Sequence, residues 1–172
     1  MINNSSTAQA TDLGMCPGGG KFVGSVKFII RDKNGNIVDE GGVTNNIVLG
    51  IRKPIIKLLA GWALEPGQHP FVQQLALGSG DTAPTVLDNG LVAEIEGSRK
   101  LAATAPTISE DGLTATFAFL YNEVDDAVDG KDIKEMGLFT IQGDMIARTT
   151  IGLWRKVTGM YFEVYWTIGY NG

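Results

Sequence analysis

Cysteine and histidine are scarce in this sequence, and each shortage excludes a class of site. Cys16 is the only cysteine among 172 residues, and His69 is the only histidine. A single thiol cannot form an internal disulfide, and a closed zinc site needs several thiolate or imidazole ligands. A catalytic triad would have to use His69, which stands in a turn-like stretch, and the sequence has no Gly-x-Ser-x-Gly motif. We therefore expect a non-enzymatic protein without a cofactor.

Positive charge and long apolar runs are also missing. The 14 Lys and Arg residues are scattered and are outnumbered by 19 Asp and Glu, which gives a net charge of -5. A nucleic-acid-binding protein normally has a basic stripe, so we expect no nucleic-acid partner. The first residues lack the basic and apolar regions of a signal peptide, and no apolar run approaches the ~18 residues of a membrane span. The sequence thus predicts synthesis in the cytosol and no membrane partner.

Apolar residues and glycine are plentiful. Apolar residues make up 44% of the chain, charged residues 19%, and glycines number 23. This length suits one domain that buries roughly two thirds of its unfolded surface, and frequent tight turns are typical of β proteins. Residues 1–20 are polar and then glycine-rich, which favours a flexible arm. We predict an N-terminal arm over residues 1–20 and a single β-sandwich or jelly-roll-like domain over residues 21–172.

Alternation with period two predicts most of the strands. Asn34-Gly35 and Gln142-Gly143 each separate two strand-like stretches, so each is expected to form a hairpin. Residues 71–78 and 91–97 are predicted to supply further strands. Two longer stretches each place a row of apolar side chains on one face. These predicted core residues are Leu113, Ala115, Phe117, Phe119, Tyr121, Met160, Phe162, Val164, Trp166, Ile168 and Tyr170.

One amphipathic helix is predicted at about residues 50–61. Apolar residues from Ile51 to Trp62 recur with helical spacing, Pro54 fits the first turn, and Gly61 is a suitable C-cap. The apolar face of this helix is expected to lie on a sheet.

The stretch Gly78-Ser79-Gly80 follows an apolar strand pattern and suggests a phosphate-binding loop at first sight. A P-loop would continue to Gly-Lys-Ser or Gly-Lys-Thr, and a dinucleotide-binding loop would have a third glycine opening a helix. Here the chain instead runs through Asp81, Pro84 and Asp88 without helical periodicity. We interpret it as an ordinary connection in which Gly78 and Gly80 let a strand turn sharply into a loop.

Residues 122–135 form the stretch that most resembles a metal site, because hard calcium ions prefer carboxylate oxygens. If Asp129-Gly130 filled positions five and six of an EF-hand loop, the position of the bidentate glutamate would be Met136. We therefore favour a solvated acidic loop. The alternative is a weak calcium site, whose ligands would be Asp125, Asp126, Asp129 and Asp132.

Candidate assembly contacts are Cys16, Tyr161 and Tyr165. The two tyrosines lie on the face of the last strand opposite the predicted core. That face is either covered within the domain or forms a subunit interface, where tyrosine is favoured. Cys16 is either a buried thiol or the partner in a disulfide between chains.

The order of several short motifs resembles the small structural virion proteins of tailed bacteriophages, described as tail-fibre-like, collar or decoration proteins. The resemblance covers most of residues 43–170. The motifs are a helix end in Leu-Leu-Ala-Gly, a Gly-rich loop with Thr-Ala-Pro, Glu-x-Gly-Leu-Phe, an Ala-Arg-Thr strand and a terminal Val-x-Trp-x-Ile strand. They occupy Leu58–Gly61, Leu75–Pro84, Glu135–Phe139, Ala147–Thr149 and Val164–Ile168.

The resemblance implies a non-enzymatic building block of a phage particle, made in the host cytoplasm and located in the virion. Its expected partners are other virion proteins and further copies of itself, arranged symmetrically at the collar or tail region or on the capsid. One alternative is a capsid decoration, or cement, protein. Another is a host-glycan-binding module of a tail fibre, which would use exposed aromatic side chains such as Trp62 or Trp154 together with calcium at the acidic loop.

Overall fold

The protein is built mainly from antiparallel β-strands, as the alternating pattern predicts. The computed structural model describes residues 21–52, 55, 72–125 and 127–171. Nine strands and a short 3-10 turn at Leu49–Ile51 occur within these residues. The strands are β1 (Lys21–Arg31), β2 (Ile37–Ile47), β3 (Val72–Gly78), β4 (Lys100–Leu101), β5 (Thr107–Ile108), β6 (Thr114–Tyr121), β7 (Asp132–Thr140), β8 (Met145–Arg155) and β9 (Tyr161–Asn171).

The nine strands form one curled sheet in the order β4-β3-β7-β8-β2-β1-β9-β6-β5. The curl brings the two ends of this order together, because the Ala103 N–H just after β4 donates a hydrogen bond of 2.8 Å to the Ala118 carbonyl of β6. A mainly β fold is therefore confirmed. The finer prediction, two packed sheets as in a sandwich or jelly roll, stays a prediction.

The pairing between β2 and β8 is short. β2 pairs with β1 along almost its whole length, but with β8 only at Asn46 and Ile47. Beyond that point the two strands diverge, and the ring of Trp154 from β8 packs edge-on against Phe28 of β1, with the ring centroids 4.1 Å apart. An aromatic contact thus takes the place of the missing ladder.

The core lies on the inner face of the curl. Alternate side chains of β1, β6 and β9 pack against those of β3, β7 and β8. Within the first group, Trp166 of β9 lies between Val26 of β1 and Phe117 of β6. Most of the predicted core positions on β6 and β9 are buried, namely Phe117, Phe119, Tyr121, Phe162, Val164 and Trp166. Leu113 precedes β6 and remains 50% exposed. The other predicted core residues are only half-buried, namely Ala115, Met160, Ile168 and Tyr170. The alternation therefore predicts the core face well in the middle of β6 and β9 and less well near their ends.

Both predicted hairpins are confirmed. Gly35 adopts a φ of +85° between β1 and β2, and the Asp32 carboxylate accepts hydrogen bonds from the N–H groups of Asn34 and Asn36. Gly143 adopts a φ of +89° between β7 and β8. These left-handed conformations cost glycine little, so the turn residues fix the register of both hairpins.

Two predicted elements have a different outcome. Residues 91–97 do not form a strand; they make one isolated bridge, between Glu94 and Gly78. Of the predicted helix at residues 50–61, residues 53, 54 and 56–61 lie outside the described residues, as does the N-terminal arm at residues 1–20. Among the residues that are described, no helix is long and apolar enough to cross a membrane.

Candidate functional site

A buried acid–base pair lies beneath the long connection between β3 and β4. We call this connection, residues 79–99, the clamped loop. Glu135 belongs to β7 and Arg148 to β8, and their side chains are 0% and 1% exposed. Because β7 and β8 are hydrogen-bonded neighbours, the carboxylate and the guanidinium lie side by side on one face of the sheet, beneath the loop.

The Glu135 carboxylate binds the backbone of the clamped loop. Its Oε1 accepts hydrogen bonds from the Gly80 N–H at 3.1 Å and the Ala93 N–H at 2.8 Å. Its Oε2 accepts from the Val92 N–H at 3.1 Å and from Arg148 Nε at 2.8 Å. These bonds satisfy N–H groups that would otherwise need a neighbouring strand. The prediction of a strand at residues 91–97 was wrong: the segment makes one bridge to the end of β3, and the Glu135 side chain takes the N–H groups of Val92 and Ala93.

Arg148 extends the cluster to the outer turn of the clamped loop. Its Nη1 donates to Asp88 Oδ2 and its Nη2 donates to the Thr82 carbonyl, both at 2.8 Å. Asp88 in turn accepts hydrogen bonds from the N–H and the hydroxyl group of Thr85. One guanidinium therefore fixes both sides of this turn while it neutralises Glu135. We call Glu135, Arg148 and Asp88 the clamp.

Hydrogen bonding outweighs burial in setting the charges of Asp88 and Arg148. Burial raises the pKa of Asp88, but hydrogen bonds from Thr85 and Arg148 lower it by more than burial raises it. The pKa therefore lies below its ordinary value. Burial also lowers the pKa of Arg148, and its bonds to Asp88 and Glu135 raise it above the ordinary value. The ionised forms are thus the stable forms of both groups.

The clamp is arranged to hold a loop. Glu135 has no exposed surface and already binds four donors, and Arg148 uses three of its nitrogen atoms on protein oxygens. A general acid or base needs a free position near its substrate. The geometry therefore suits the positioning of residues 79–99 and the surface that they expose.

Gly78 and Gly80 serve the clamp in a way that differs from the sequence prediction. Neither residue adopts a positive φ, so neither is needed for a left-handed turn. A Cβ atom would instead lie 2.6 Å from Glu135 Oε1 at Gly78 and 2.5 Å from the same atom at Gly80. The glycines are required because the carboxylate approaches the backbone too closely for any side chain.

The acidic stretch does not gather its carboxylates around one point. Asp125 pairs with Lys100 at 2.6 Å, Asp129 pairs with the buried Lys156, and Asp132 pairs with Arg155. Across residues 21–52, 55, 72–125 and 127–171, no group of three His, Cys, Asp or Glu side chains is placed to hold a metal ion. Asp126 lies outside the described residues, so the four-ligand calcium hypothesis stays a prediction without support.

The candidate assembly residues on β9 lie on the outer face of the sheet. Tyr165 is 37% exposed, and its hydroxyl donates to Glu163, which also binds Arg31 at 3.0 Å. Tyr161 is partly buried on the same face. Cys16 lies outside the described residues, as do Trp62 and His69.

Trp154 is a poor platform for a sugar. Its side chain is partly buried, and its ring packs against Phe28 with the ring centroids 4.1 Å apart. The glycan-binding hypothesis therefore gains nothing from this residue.

An apolar groove is a further feature, and the sequence interpretation missed it. It has a volume of about 800 Å³ and lies where the curled sheet fails to close, and we call it the seam groove. It is lined by Val72, Leu101, Ala102, Ala103, Thr104, Ala105, Pro106, Ile108, Ala115 and Phe117. The signal in the sequence is the alanine-rich run from Leu101 to Pro106, which carries no charge and no strand alternation.

Comparison with known proteins does not identify the chain. No protein-family model matches the sequence, and neither a curated protein nor a solved structure gives a match. The resemblance to virion proteins therefore stays a prediction that rests on the sequence motifs, three of which meet at the clamp.

The clamp is expected to make a large contribution to stability. Glu135→Ala and Arg148→Ala should each lower the free energy of unfolding by about 3–5 kcal/mol, because each leaves an unpaired buried charge. The double variant should lose less than the sum of the two single losses. Urea denaturation of the four proteins measures this coupling. The control is Arg155→Ala, whose partner is Asp132 and whose side chain is 57% exposed; it should cost at most about 1 kcal/mol. Additive losses would contradict the clamp.

A methyl group at Gly80 should disrupt the contact with Glu135. Gly80→Ala places its Cβ within 3 Å of the carboxylate and of Val92, so we expect a loss of about 1–3 kcal/mol. Gly90→Ala is the matched control in the same loop, because nothing lies within 4 Å of its Cβ. Thermal unfolding of both variants distinguishes them. Equal melting temperatures would show that Glu135 does not constrain residue 80.

The contribution of Asp88 should depend on pH. The pKa of Asp88 is lower in the folded state than its unfolded value of about 3.9. The contribution of Asp88 to the free energy of unfolding is therefore complete above this unfolded value and is lost as the pH falls through the folded pKa. We expect Asp88→Asn to be less stable than the parent by a constant amount between about pH 5 and pH 7, and the difference to shrink below about pH 4. Urea denaturation at several pH values measures it. A difference that persists unchanged at pH 3 would contradict the assignment.

Proposed function

We propose that this chain is a non-enzymatic structural protein of a tailed-bacteriophage virion, which assembles in symmetric copies at the collar or tail region or on the capsid. One observation carries the proposal. The clamp joins three of the motifs on which the resemblance rests: the Gly-rich loop at Leu75–Pro84, Glu135 of Glu-x-Gly-Leu-Phe, and Arg148 of Ala-Arg-Thr. These motifs therefore have a shared physical role, which is to present a rigid loop.

A rigid surface loop is useful in an assembly because binding then costs little conformational entropy. Residues 79–99 are held by side-chain bonds from β7 and β8, and also by the Asn46 side chain, which donates to the Pro84 carbonyl at 2.9 Å. The loop still exposes apolar side chains, with Leu87 at 75% and Val92 at 58%. Exposed apolar groups on an ordered loop favour contact with another virion protein.

The finer fold proposal is a β-sandwich. Strands β1, β2, β5, β6 and β9 would form one layer and β3, β4, β7 and β8 the other, with the core between them. The two hydrogen-bonded pairs between β2 and β8 support a bend between layers at this point. Two such layers would leave two outer faces for neighbours in a lattice or ring.

The experiment is to locate the protein in purified phage particles. An epitope tag at the C-terminus, detected by immunoblot and by gold labelling in electron microscopy, should show a fixed number of copies at one place on each particle. The double variant Glu135→Ala with Arg148→Ala should reduce incorporation, whereas Arg155→Ala should not. Absence of the tagged parent protein from purified particles would refute a virion role. Labelling on the capsid alone would favour the decoration protein over the collar or tail protein.

A further inference from the structure

Asn-Gly pairs occur three times in the sequence, and two of them lie in different surroundings in the fold. The pairs are Asn34-Gly35, Asn89-Gly90 and Asn171-Gly172, of which the last ends outside the described residues. In an Asn-Gly pair the backbone nitrogen of glycine can attack the asparagine amide, because glycine has no Cβ to hinder the approach. In a folded protein the attack also requires that the pair is loosely held.

Asn34-Gly35 is held firmly by its hairpin turn. The Gly35 N–H donates to the Asp32 carbonyl at 3.0 Å, and the Gly35 carbonyl accepts a hydrogen bond from Arg31 Nη1 at 3.1 Å. The Asn34 N–H donates to the Asp32 carboxylate at 2.8 Å. The nitrogen that would have to attack is therefore bonded within the turn.

Asn89-Gly90 lies in the clamped loop without such restraints. Asn89 is exposed, and within the described part of the chain neither its side chain nor the Gly90 N–H has a hydrogen-bond partner. A Cβ atom at Gly90 would have no other atom within 4 Å, so the space beside this residue is open. The Gly90 nitrogen can therefore approach the Asn89 side chain without breaking a bond of the fold.

We propose that Asn89 is a site of spontaneous modification in the folded protein, where it deamidates to aspartate and isoaspartate. The Gly90 nitrogen loses its proton to solvent and attacks Asn89 Cγ. The new N–Cγ bond forms as the Cγ–Nδ2 bond breaks, and ammonia leaves. Water then hydrolyses the resulting succinimide at either of its two carbonyl groups. Water is the only co-reactant, and nothing is oxidised or reduced.

The products change the chain between two fixed points of the clamped loop. On one side Asp88 binds Arg148, and on the other the Val92 N–H binds Glu135. Both products add a negative charge next to Asp88, and isoaspartate also adds one carbon atom, about 1.5 Å, to the main chain. The added length forces the backbone between the two fixed points to shift. Isoaspartate at position 89 should therefore loosen the outer turn of the loop.

The test follows deamidation in the purified full-length protein by peptide mapping with mass spectrometry. At mildly alkaline pH, the peptide that contains residue 89 should gain the mass difference between water and ammonia faster than the peptide that contains residue 34. We expect a ratio of about tenfold or more in the two rates, which corresponds to about 1.4 kcal/mol in the barrier. In concentrated urea neither pair is held, so the two rates should become similar.

Gly90→Ala is the matched variant, because its added methyl group meets no other atom of the protein but hinders the attack on Asn89. It should slow the reaction at residue 89 by about tenfold and leave the rate at residue 34 unchanged. Equal rates at residues 34 and 89 in the folded protein would overturn the proposal. So would an unchanged rate at residue 89 in Gly90→Ala.

A second measurement tests the effect on the loop. Amide hydrogen exchange at residues 81–90 should be faster in the isoaspartate form than in Asn89→Asp, which adds the charge without lengthening the main chain. Equal exchange in these two proteins would show that the added length does not loosen the loop. Both experiments use purified protein and neither depends on a virion role. Failure of the proposed function and failure of this inference are thus distinguishable.

Discussion

The clamped loop and the two strands beneath it, β7 and β8, are held together by the hydrogen bonds of the Glu135 carboxylate. The clamped loop, residues 79–99, contains no strand, so many of its backbone groups need partners from elsewhere. Glu135 binds three of its N–H groups, and Arg148 both neutralises that carboxylate and binds the far side of the turn. A buried carboxylate without the guanidinium would be strongly unfavourable, so the loop, β7 and β8 form one energetic unit.

The edge of the sheet is set where the chain leaves β3. β4 is antiparallel to β3 and ends at Leu101, so residues after Leu101 would be needed to cover β3 as far as Val72. Instead the Ala103 N–H donates to the Ala118 carbonyl of β6. The seam groove lies beside this uncovered part of β3.

The strands and hairpins were predictable because their signals are local. Alternation and the turn pairs Asn34-Gly35 and Gln142-Gly143 act over a few residues. The role of Glu135 was less visible, since it stands next to Asp132 in an acidic stretch. Regular alternation would put Glu135 on the same face as Ile133, but a register shift between these two residues breaks the alternation, and Ile133 joins Met136 in the main core while Glu135 faces the clamped loop. The absence of a strand at residues 91–97 was not predictable from local signals. The N–H groups of Val92 and Ala93 bind the Glu135 carboxylate, which lies more than forty residues away in the chain.

The clamp is built from charged side chains that hold a loop, whereas the described lining of the seam groove is mainly apolar. Within the clamp, Glu135 and Arg148 are buried and Asp88 is 20% exposed, and the hold of Arg148 on the outer turn depends on the ionisation of Asp88. None of the described residues that line the groove is titratable, so the charge of this lining does not change with the ionisation of Asp88. Acid should therefore loosen residues 79–99, whose outer turn Asp88 holds through Arg148 and Thr85, and leave the described apolar lining of the groove unchanged.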